Sequence, residues 1–237
     1  MKKLIAFDLD GTITQPKSPL TEKNRLVLDA LTARYKLLMV SARQCLRVFN
    51  QLGQYPIDIL GNYGMQYGVY DHEAKDLRIL RNDSVPCDRE SVRARIDMLR
   101  SEFGFSEYKG DSVLYHPSGC VTFPIIGTEA DLADKLSFDP DRSKRRKIYD
   151  RVASVFSEYV VFVGGTSSFD MAPKPFNKYY ALDLYCREHG YSHGEVTFVG
   201  DDYGIGGNDE SVYRSDIDFI CVDNYEKFGE YVSPLLQ

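Results

Sequence analysis

The chain has 237 residues, of which 43% are hydrophobic and 27% are charged, and its net charge is −6. This length is enough to bury a sizeable core, in one large domain or in two modest ones. A negative net charge gives no general attraction to nucleic acid or to an anionic membrane, and no apolar run approaches the roughly 20 residues that span a bilayer, so we expect neither as a partner.

The first 80 residues alternate between strand-like and helix-like patterns. Continuous apolar runs predict strands at 4–7, 37–40 and 57–60. Between the first two, Thr21 is a typical helix N-cap and is followed by apolar residues at helical spacing. Strands that are apolar throughout and are joined by amphipathic helices indicate a parallel sheet covered on both faces.

The pattern then changes from alternating strands and helices to a mixed α+β arrangement. Glycines punctuate a hairpin after residue 60, and the following predicted elements are a helix at 88–102, an antiparallel pair at 113–116 and 120–126, a charged helix at 141–157 and strands at 160–163 and 168–171. The α/β rhythm then returns, with a helix at 177–189 and strands at 196–199 and 219–222. We therefore predict a doubly wound α/β core at 1–82 and 173–237, with an inserted α+β domain at 83–172.

The five cysteines are scattered and show no metal-ligand spacing. They indicate thiols in a reducing compartment rather than a disulfide framework. The apolar stretch before Asp8 is only four residues long, which is too short for a signal peptide. These features predict a cytoplasmic protein.

Polar residues that carry chemistry follow the predicted strands. Asp8 and Asp10 end the first strand, Ser41 follows the second, Asp201 follows the strand at 196–199, and Lys178 opens a helix. Each alone has an ordinary explanation as a turn, a helix cap or a surface charge. Ligands of an open parallel sheet bind beyond the carboxyl ends of its strands, and paired carboxylates there need a cation, for which oxygen ligands favour magnesium. The arrangement predicts a phosphoryl-transfer centre.

Three short motifs together resemble the haloacid dehalogenase-like (HAD) phosphotransferase superfamily. They are Asp-Leu-Asp-Gly-Thr at 8–12, Gly-Asp-Asp at 200–202 and Gly-Gly-Asn-Asp at 206–209. The resemblance covers nearly the whole chain, and it implies a Rossmann-like core with an inserted cap domain.

The resemblance also implies roles for the individual residues. Asp8 would be the nucleophile that forms an aspartyl phosphate, and Asp10 would protonate the leaving oxygen and then activate the acceptor. Ser41 and Lys178 would bind the oxygens of the transferring phosphoryl group.

A magnesium ion is the cofactor that this resemblance implies. Its ligands would be the Asp8 carboxylate, the backbone carbonyl of Asp10 and the Asp201 carboxylate, with Asn208 and Asp209 supporting them from nearby. The ion would offset the repulsion between Asp8 and an anionic phosphate.

The insertion resembles the cap domains of the Cof-like sugar phosphatases and of the eukaryotic-type phosphomannomutases. The second group has Ser-Phe-Asp near the end of its cap, which appears here at 168–170. Those mutases clamp a second phosphate with arginines, and the corresponding positions here are Lys17, His116, Thr128 and Lys135. A lysine does not bind phosphate bidentately as a guanidinium does, so this clamp is depleted.

The motif after the second strand, Ser41-Ala42-Arg43, is more similar to the Ser-Gly-Arg of the phosphatases than to the Gly-Gly-Ser of the mutases. The candidate substrate-binding residues are therefore Lys17, Arg43, His116, Lys135, Ser168 and Asp170.

The sequence thus predicts a magnesium-dependent phosphohydrolase that acts on a small phosphorylated metabolite such as a sugar phosphate. One alternative is a phosphomannomutase that interconverts mannose 1-phosphate and mannose 6-phosphate, and another is a catalytically idle protein that binds a phosphorylated metabolite. Some related mutases form homodimers through their caps, and the resemblance leaves both a monomer and such a homodimer open for this chain. The basic run at 143–147 is predicted to be a solvated helix face rather than a nucleic-acid patch.

Overall fold

The computed structural model describes residues 1–237. By their contacts, these residues form two compact units. The core unit consists of Met1–Asp83, Asn177–Gly204 and Asp209–Gln237, and the inserted unit consists of Ser84–Phe176 and Ile205–Asn208. None of the helices combines the length and the apolar character that a membrane span requires.

A seven-stranded sheet forms the centre of the core unit. In their order across the sheet, its strands are β11 (Asp218–Cys221), β10 (Val196–Gly200), β1 (Leu4–Phe7), β2 (Lys36–Val40), β3 (Asp58–Gly61), β4 (Gln66–Asp71) and β5 (Asp76–Asn82). From β11 to β3 the neighbouring strands are parallel, whereas β4 is antiparallel to β3 and forms an antiparallel hairpin with β5 at one edge. The strand that carries the aspartate motif therefore lies inside the sheet.

Helices pack on the core sheet, and they are numbered here in chain order. Those of the core unit are α1 (Glu22–Thr32), α2 (Cys45–Gln51), α6 (Lys178–His189), α7 (Glu210–Tyr213) and α8 (Phe228–Val232). Ile5 and Phe7 of β1 belong to one apolar cluster, and Leu4 and Ala6 belong to another. Successive side chains of a strand point to opposite faces of the sheet, so both faces are buried and every residue of the strand is apolar. The predicted doubly wound α/β core is confirmed.

The inserted unit contains a four-stranded antiparallel sheet. Its strands, in order, are β6 (Leu114–Tyr115), β7 (Val121–Pro124), β9 (Ser168–Pro173) and β8 (Tyr159–Phe162), and its helices are α3 (Arg89–Phe103), α4 (Leu132–Phe138) and α5 (Ser143–Val155). Phe123 and Phe169 on one face of the sheet share an apolar cluster with Ile96 of α3 and Val152 of α5. This arrangement confirms the predicted α+β character of the insertion.

Two details of the inserted unit differ from the sequence-based expectation. Helix α4 is not predicted from the sequence. It is only seven residues long, none of its residues is buried, and two of its apolar residues, Leu132 and Leu136, are exposed. The prediction of a solvated face at 143–147 is wrong at Arg145, whose side chain is only 1% exposed and pairs with Asp139. Lys144, Arg146 and Lys147 are exposed as expected.

Candidate active site

A buried lysine joins two aspartates at the carboxyl end of the central strands. Asp8 directly follows β1, and its amide donates to the carbonyl of Val199 in β10 at 2.9 Å. Lys178 is completely buried, and its Nζ lies 2.5 Å from Asp8 Oδ1 and 2.7 Å from Asp209 Oδ1. Buried charges are normally paired in this way, because an unpaired one is strongly destabilising.

The start of helix α6 places this lysine. The side chain of Asn177 accepts a hydrogen bond from the amide of Tyr180 and caps the helix, so that Lys178 is its first residue. An N-cap of this kind satisfies a backbone donor that the helix leaves free. The sequence therefore fixes the helix boundary, and the boundary presents the lysine to the two carboxylates.

Three carboxylates form a cluster around this lysine. Ligand oxygens of Asp8, Asp201 and Asp209 all lie within 4.8 Å of one another. Asp201 Oδ1 accepts from the Thr12 hydroxyl at 2.9 Å, and Asp209 Oδ2 accepts from the amide of Asp202 at 3.0 Å. One ammonium group thus faces three carboxylates, so the cluster has an excess of negative charge.

The pKa values of the cluster reflect this excess. Burial raises the pKa of Asp8 well above its usual value, and the lysine offsets only part of the effect. Burial and the neighbouring Asp209 raise the pKa of Asp201 to about 6. Burial alone would lower the pKa of Lys178, but Asp209 and Asp8 together raise it above its ordinary value. A single lysine does not balance three closely spaced carboxylates, and their oxygens are suitable ligands for a hard divalent cation such as Mg²⁺.

The glycine of the Asp-Gly-Thr motif makes room for this cluster. Gly11 has a φ of +95°, and a Cβ added to it would lie 2.4 Å from Asp201 Oδ2. Any side chain would therefore be strained by the backbone conformation and would also collide with the carboxylate. This close approach explains why a glycine stands between the aspartates and Thr12.

The carboxylate of Asp10 is held by three donors of its own. Its Oδ1 accepts from the backbone amide of Lys17 at 2.7 Å and from Gln51 Nε2 at 2.8 Å, and its Oδ2 lies 2.7 Å from Arg43 Nε. Lys17 therefore contacts Asp10 through its backbone, while its side chain is exposed. Gln51 was not predicted as a site residue, because a glutamine at the end of a helix carries no sequence signal of function.

Ser41 lies at the same edge of the sheet as Asp8. It directly follows β2, which pairs with β1 in a parallel register that aligns Phe7 with Met39. The serine is buried, and its Oγ accepts a hydrogen bond from the amide of Arg43 at 3.2 Å. The structure thus brings Ser41, Asp8, Asp10 and Arg43 to the ends of two neighbouring strands.

The other predicted substrate residues lie in the inserted unit. His116 Nε2 is 3.0 Å from Thr122 Oγ1, and Thr122 Oγ1 donates to Asp170 Oδ1 at 2.8 Å. Asn208, predicted to support the metal, is grouped with this unit by its contacts. Thr122 was not predicted, because a single threonine in a strand is ordinary.

The remaining polar residues of the predicted cap site make hydrogen bonds within the inserted unit. Lys135 Nζ donates to the carbonyl of Thr128 at 2.7 Å, and Thr128 Oγ1 accepts from the amide of Asp111 at 2.9 Å. Ser168 Oγ donates to the carbonyl of Gly164 at 3.2 Å. These side chains therefore support the local backbone in this structure.

The fold and the site together define a phosphoryl-transfer enzyme of the HAD-like superfamily. Among solved structures, an IMP-nucleotidase from Plasmodium falciparum has a TM-score of 0.69 and 14% identity, over 99% of this chain and 70% of that one. A phosphatase of the haloalkanoate (HAD) superfamily from Bacteroides thetaiotaomicron has a TM-score of 0.63 and 16% identity, over 99% of this chain and 95% of that one. Because the sequence identities are this low, these two comparisons show only that the folds are similar.

The family follows from the sequence. A profile of the eukaryotic phosphomannomutase family matches residues 97–222, just over half of the chain. The chain is also 24% identical over 220 residues to a phosphomannomutase from Saccharomyces cerevisiae. The aligned region covers 89% of this chain and 84% of the yeast protein. The chain therefore belongs to the eukaryotic phosphomannomutase family.

Proposed function

We propose that this protein is a magnesium-dependent phosphohydrolase for a small phosphorylated metabolite, such as a sugar phosphate. The observation that carries the proposal is the buried pair of Asp8 and Lys178 at the end of β1, within a cluster of carboxylates. In this proposal the core unit carries the chemistry and the inserted unit selects the substrate.

Asp8 acts as the nucleophile. One of its carboxylate oxygens attacks the phosphorus atom, the bond to the leaving oxygen breaks, and an aspartyl phosphate forms. Lys178 favours the ionised form of Asp8 and neutralises charge on the transferring phosphoryl oxygens. The hydroxyl of Ser41, at the end of the adjacent strand, binds the same oxygens.

Asp10 acts as the general acid and base. It protonates the leaving oxygen in the first step, and in the second it takes a proton from the water that attacks the aspartyl phosphate. Arg43 and Gln51 position its carboxylate, because both donate hydrogen bonds to it.

Asp8, Asp201 and the backbone carbonyl of Asp10 are the groups that would hold Mg²⁺, with Asp209 and Asn208 supporting them. When bound, the ion would offset the repulsion between the carboxylates and an anionic phosphate. The excess of negative charge in the cluster supports this assignment.

The choice of water as acceptor rests on the inserted unit. A mutase must retain a bisphosphate intermediate, and a guanidinium is the side chain that clamps a phosphate bidentately. The corresponding positions hold His116, Thr128 and Lys135, whose side chains make hydrogen bonds within the unit. This arrangement favours hydrolysis.

A phosphomannomutase is the second candidate, and membership of the family favours it. The first step would be the same. In the second step the phosphoryl group would pass to a hydroxyl of the sugar rather than to water.

Phosphate release from a panel of hexose, pentose and nucleoside monophosphates, measured with Mg²⁺, tests the hydrolase. We expect turnover by the natural protein and a loss of at least about 10³-fold in Asp8→Asn, which is roughly 4 kcal/mol of transition-state stabilisation. Asp97→Asn, at an exposed position of α3, is the matched control. Unchanged turnover in Asp8→Asn would exclude the covalent mechanism.

Mannose 1-phosphate with a hexose bisphosphate activator separates the two candidates. Release of free phosphate without mannose 6-phosphate supports the hydrolase. Formation of mannose 6-phosphate without loss of phosphate would establish the mutase instead.

A further inference from the structure

The loop that carries Ser41 and Arg43 is held by the segment that follows β3 in the core unit. The amide of Ser41 donates to the carbonyl of Leu60 at 2.8 Å. In return, the amides of Asn62 and Tyr63 donate to the carbonyls of Arg43 and Ser41, at 2.9 Å and 3.2 Å. The backbone of the loop is therefore fixed by residues that lie about 20 positions further along the chain.

This segment has an unusual backbone conformation where it meets the loop. Asn62 and Tyr63 have φ angles of +48° and +58°, in the left-handed region that residues other than glycine rarely adopt. Gly61 approaches the loop so closely that an added Cβ would lie 2.7 Å from the carbonyl oxygen of Arg43 and 2.8 Å from the amide nitrogen of Cys45. Backbone strain of this kind is concentrated where a function needs a fixed geometry.

A glutamine of β4 caps the helix that follows the loop. Helix α2 begins at Cys45, and Gln44 at its N-cap makes no side-chain hydrogen bond to it. The free amide of Cys45 donates instead to Gln66 Oε1 at 2.9 Å. The second end of the same side chain is also fixed, because Gln66 Nε2 donates to Asn82 Oδ1 of β5 at 2.8 Å. The hairpin of β4 and β5 thus supplies the cap that the local sequence of α2 lacks.

We propose that Gln66 is a positioning residue that fixes the loop from Ser41 to Cys45 and so holds Arg43 on Asp10. The inference deepens the proposed function and rests on it for the role of Asp10 as acid and base. The side chain of Gln66 bonds to Cys45 and Asn82, and it acts on Asp10 only through the loop. Without this cap, the start of α2 and the loop before it can shift, and the guanidinium of Arg43 leaves the carboxylate more often.

Steady-state phosphate release with Mg²⁺ tests the effect on the reaction. Gln66→Leu removes the acceptor at similar size, and we expect kcat to fall by about 10-fold while KM changes by less than about 2-fold. Gln66→Glu keeps an oxygen that accepts from the amide of Cys45, and its charge suits a helix N-terminus, so it should restore most of kcat. Gln44→Leu is the matched control, because this exposed glutamine precedes the same helix without capping it.

A double-mutant cycle distinguishes positioning from a general structural role. In the Arg43→Met background we expect Gln66→Leu to lower kcat by less than about 2-fold, because the contact that Gln66 maintains is already absent. Equal factors in the natural protein and in Arg43→Met would overturn the proposal.

Nuclear magnetic resonance measures the same loop without any turnover. The Nε proton of Arg43, which lies on the atom 2.7 Å from Asp10 Oδ2, should exchange slowly with solvent in the natural protein and in Gln66→Glu. In Gln66→Leu this proton and the amide proton of Cys45 should each exchange at least about 10-fold faster. Unchanged exchange in Gln66→Leu, or fast exchange in Gln66→Glu, would overturn the proposal. Exchange that depends on Gln66 in a protein without turnover would uphold this inference and refute the proposed hydrolase.

Discussion

Arg43 Nε lies 2.7 Å from Asp10 Oδ2, and the side chain of each residue is 21% exposed. The two residues follow β2 and β1, which are parallel neighbours in the sheet. The guanidinium at the end of Ser41-Ala42-Arg43 therefore contacts the second aspartate of the site. The sequence predicts a substrate contact for this arginine, whereas in our proposal Arg43 positions the carboxylate of Asp10.

Arg43→Met tests this role. We expect kcat to fall by about 10- to 100-fold with little change in KM, because an acid–base group that is no longer positioned loses much of its contribution. The measurement is steady-state phosphate release with a substrate that the natural protein hydrolyses. Arg47→Met on α2 is the control, since Arg47 is exposed. An increase in KM at constant kcat would instead place Arg43 on the substrate.

The carboxylate cluster should limit the stability of the metal-free protein. Asp8 has a raised pKa in the folded state, so its ionised form destabilises that state at any pH above the usual value of 3.8. We expect Asp8→Asn to increase the free energy of unfolding in EDTA at pH 7 by about 1 kcal/mol, because removing one negative charge leaves Lys178 paired with Asp209. Urea unfolding measures the change.

Magnesium should make the natural protein more stable than Asp8→Asn, which is the reverse of the order expected in EDTA. A ligand at 100 times its dissociation constant adds about 2.7 kcal/mol to the free energy of unfolding. We expect the natural protein to gain more from Mg²⁺ than Asp8→Asn does, and Asp97→Asn to gain as much as the natural protein. Destabilisation of the metal-free protein by Asp8→Asn would contradict the charge argument.

Much of this arrangement could be predicted because it is local in sequence. The apolar runs of β1 and β2 identify the parallel core, and Asp8 and Ser41 follow those strands directly. The contacts of Gln51 with Asp10 and of Thr122 with Asp170 could not be predicted. They join residues that are 41 and 48 positions apart, and neither residue type marks function by itself. Arg145 is buried because it pairs with Asp139 and donates to the carbonyls of Gly164 and Ser168. The pattern of charges in the sequence does not show that these groups come together.

Arg145 should be essential to the stability of the inserted unit. Its Nε lies 2.8 Å from Asp139 Oδ2, both side chains are at most 1% exposed, and its Nη1 donates to the carbonyls of Gly164 and Ser168. Removing one partner of a buried ion pair costs about 3–5 kcal/mol, because the other charge stays buried and uncompensated. We therefore expect Arg145→Met to lower the free energy of unfolding by about that amount.

Two further variants distinguish the ion pair from a general effect of charge. Lys147→Met removes an exposed charge from the same helix and should change the stability by less than about 0.5 kcal/mol. Adding Asp139→Asn to Arg145→Met should recover part of the loss, since no unpaired carboxylate then remains. Equal effects of Arg145→Met and Lys147→Met in chemical unfolding would refute the argument.

Glu195 should support the fold against acid at the entry to β10. Its Oε1 lies 2.5 Å from Lys3 Nζ, and its Oε2 accepts from the amide and the hydroxyl of Ser192, each at 3.1 Å. The hydrogen bond from Lys3, followed by those from Ser192, lowers the pKa of Glu195 from the usual 4.5 to about 2. An acid with a lowered pKa stabilises the folded state above its unfolded pKa, and this contribution disappears as the pH falls towards the folded value.

The prediction is that Glu195→Gln is less stable than the natural protein at pH 6, and that the difference shrinks steadily as the pH falls from 4.5 towards 2. Urea unfolding at a series of pH values measures it. The carboxylate is at the surface, so added salt should reduce the difference at pH 6 as well. Glu107→Gln, at an exposed position of the inserted unit, should give a difference that depends much less on pH. A difference for Glu195→Gln that stays constant down to pH 3 would mean that the glutamate acts through its shape and its hydrogen bonds rather than through its charge.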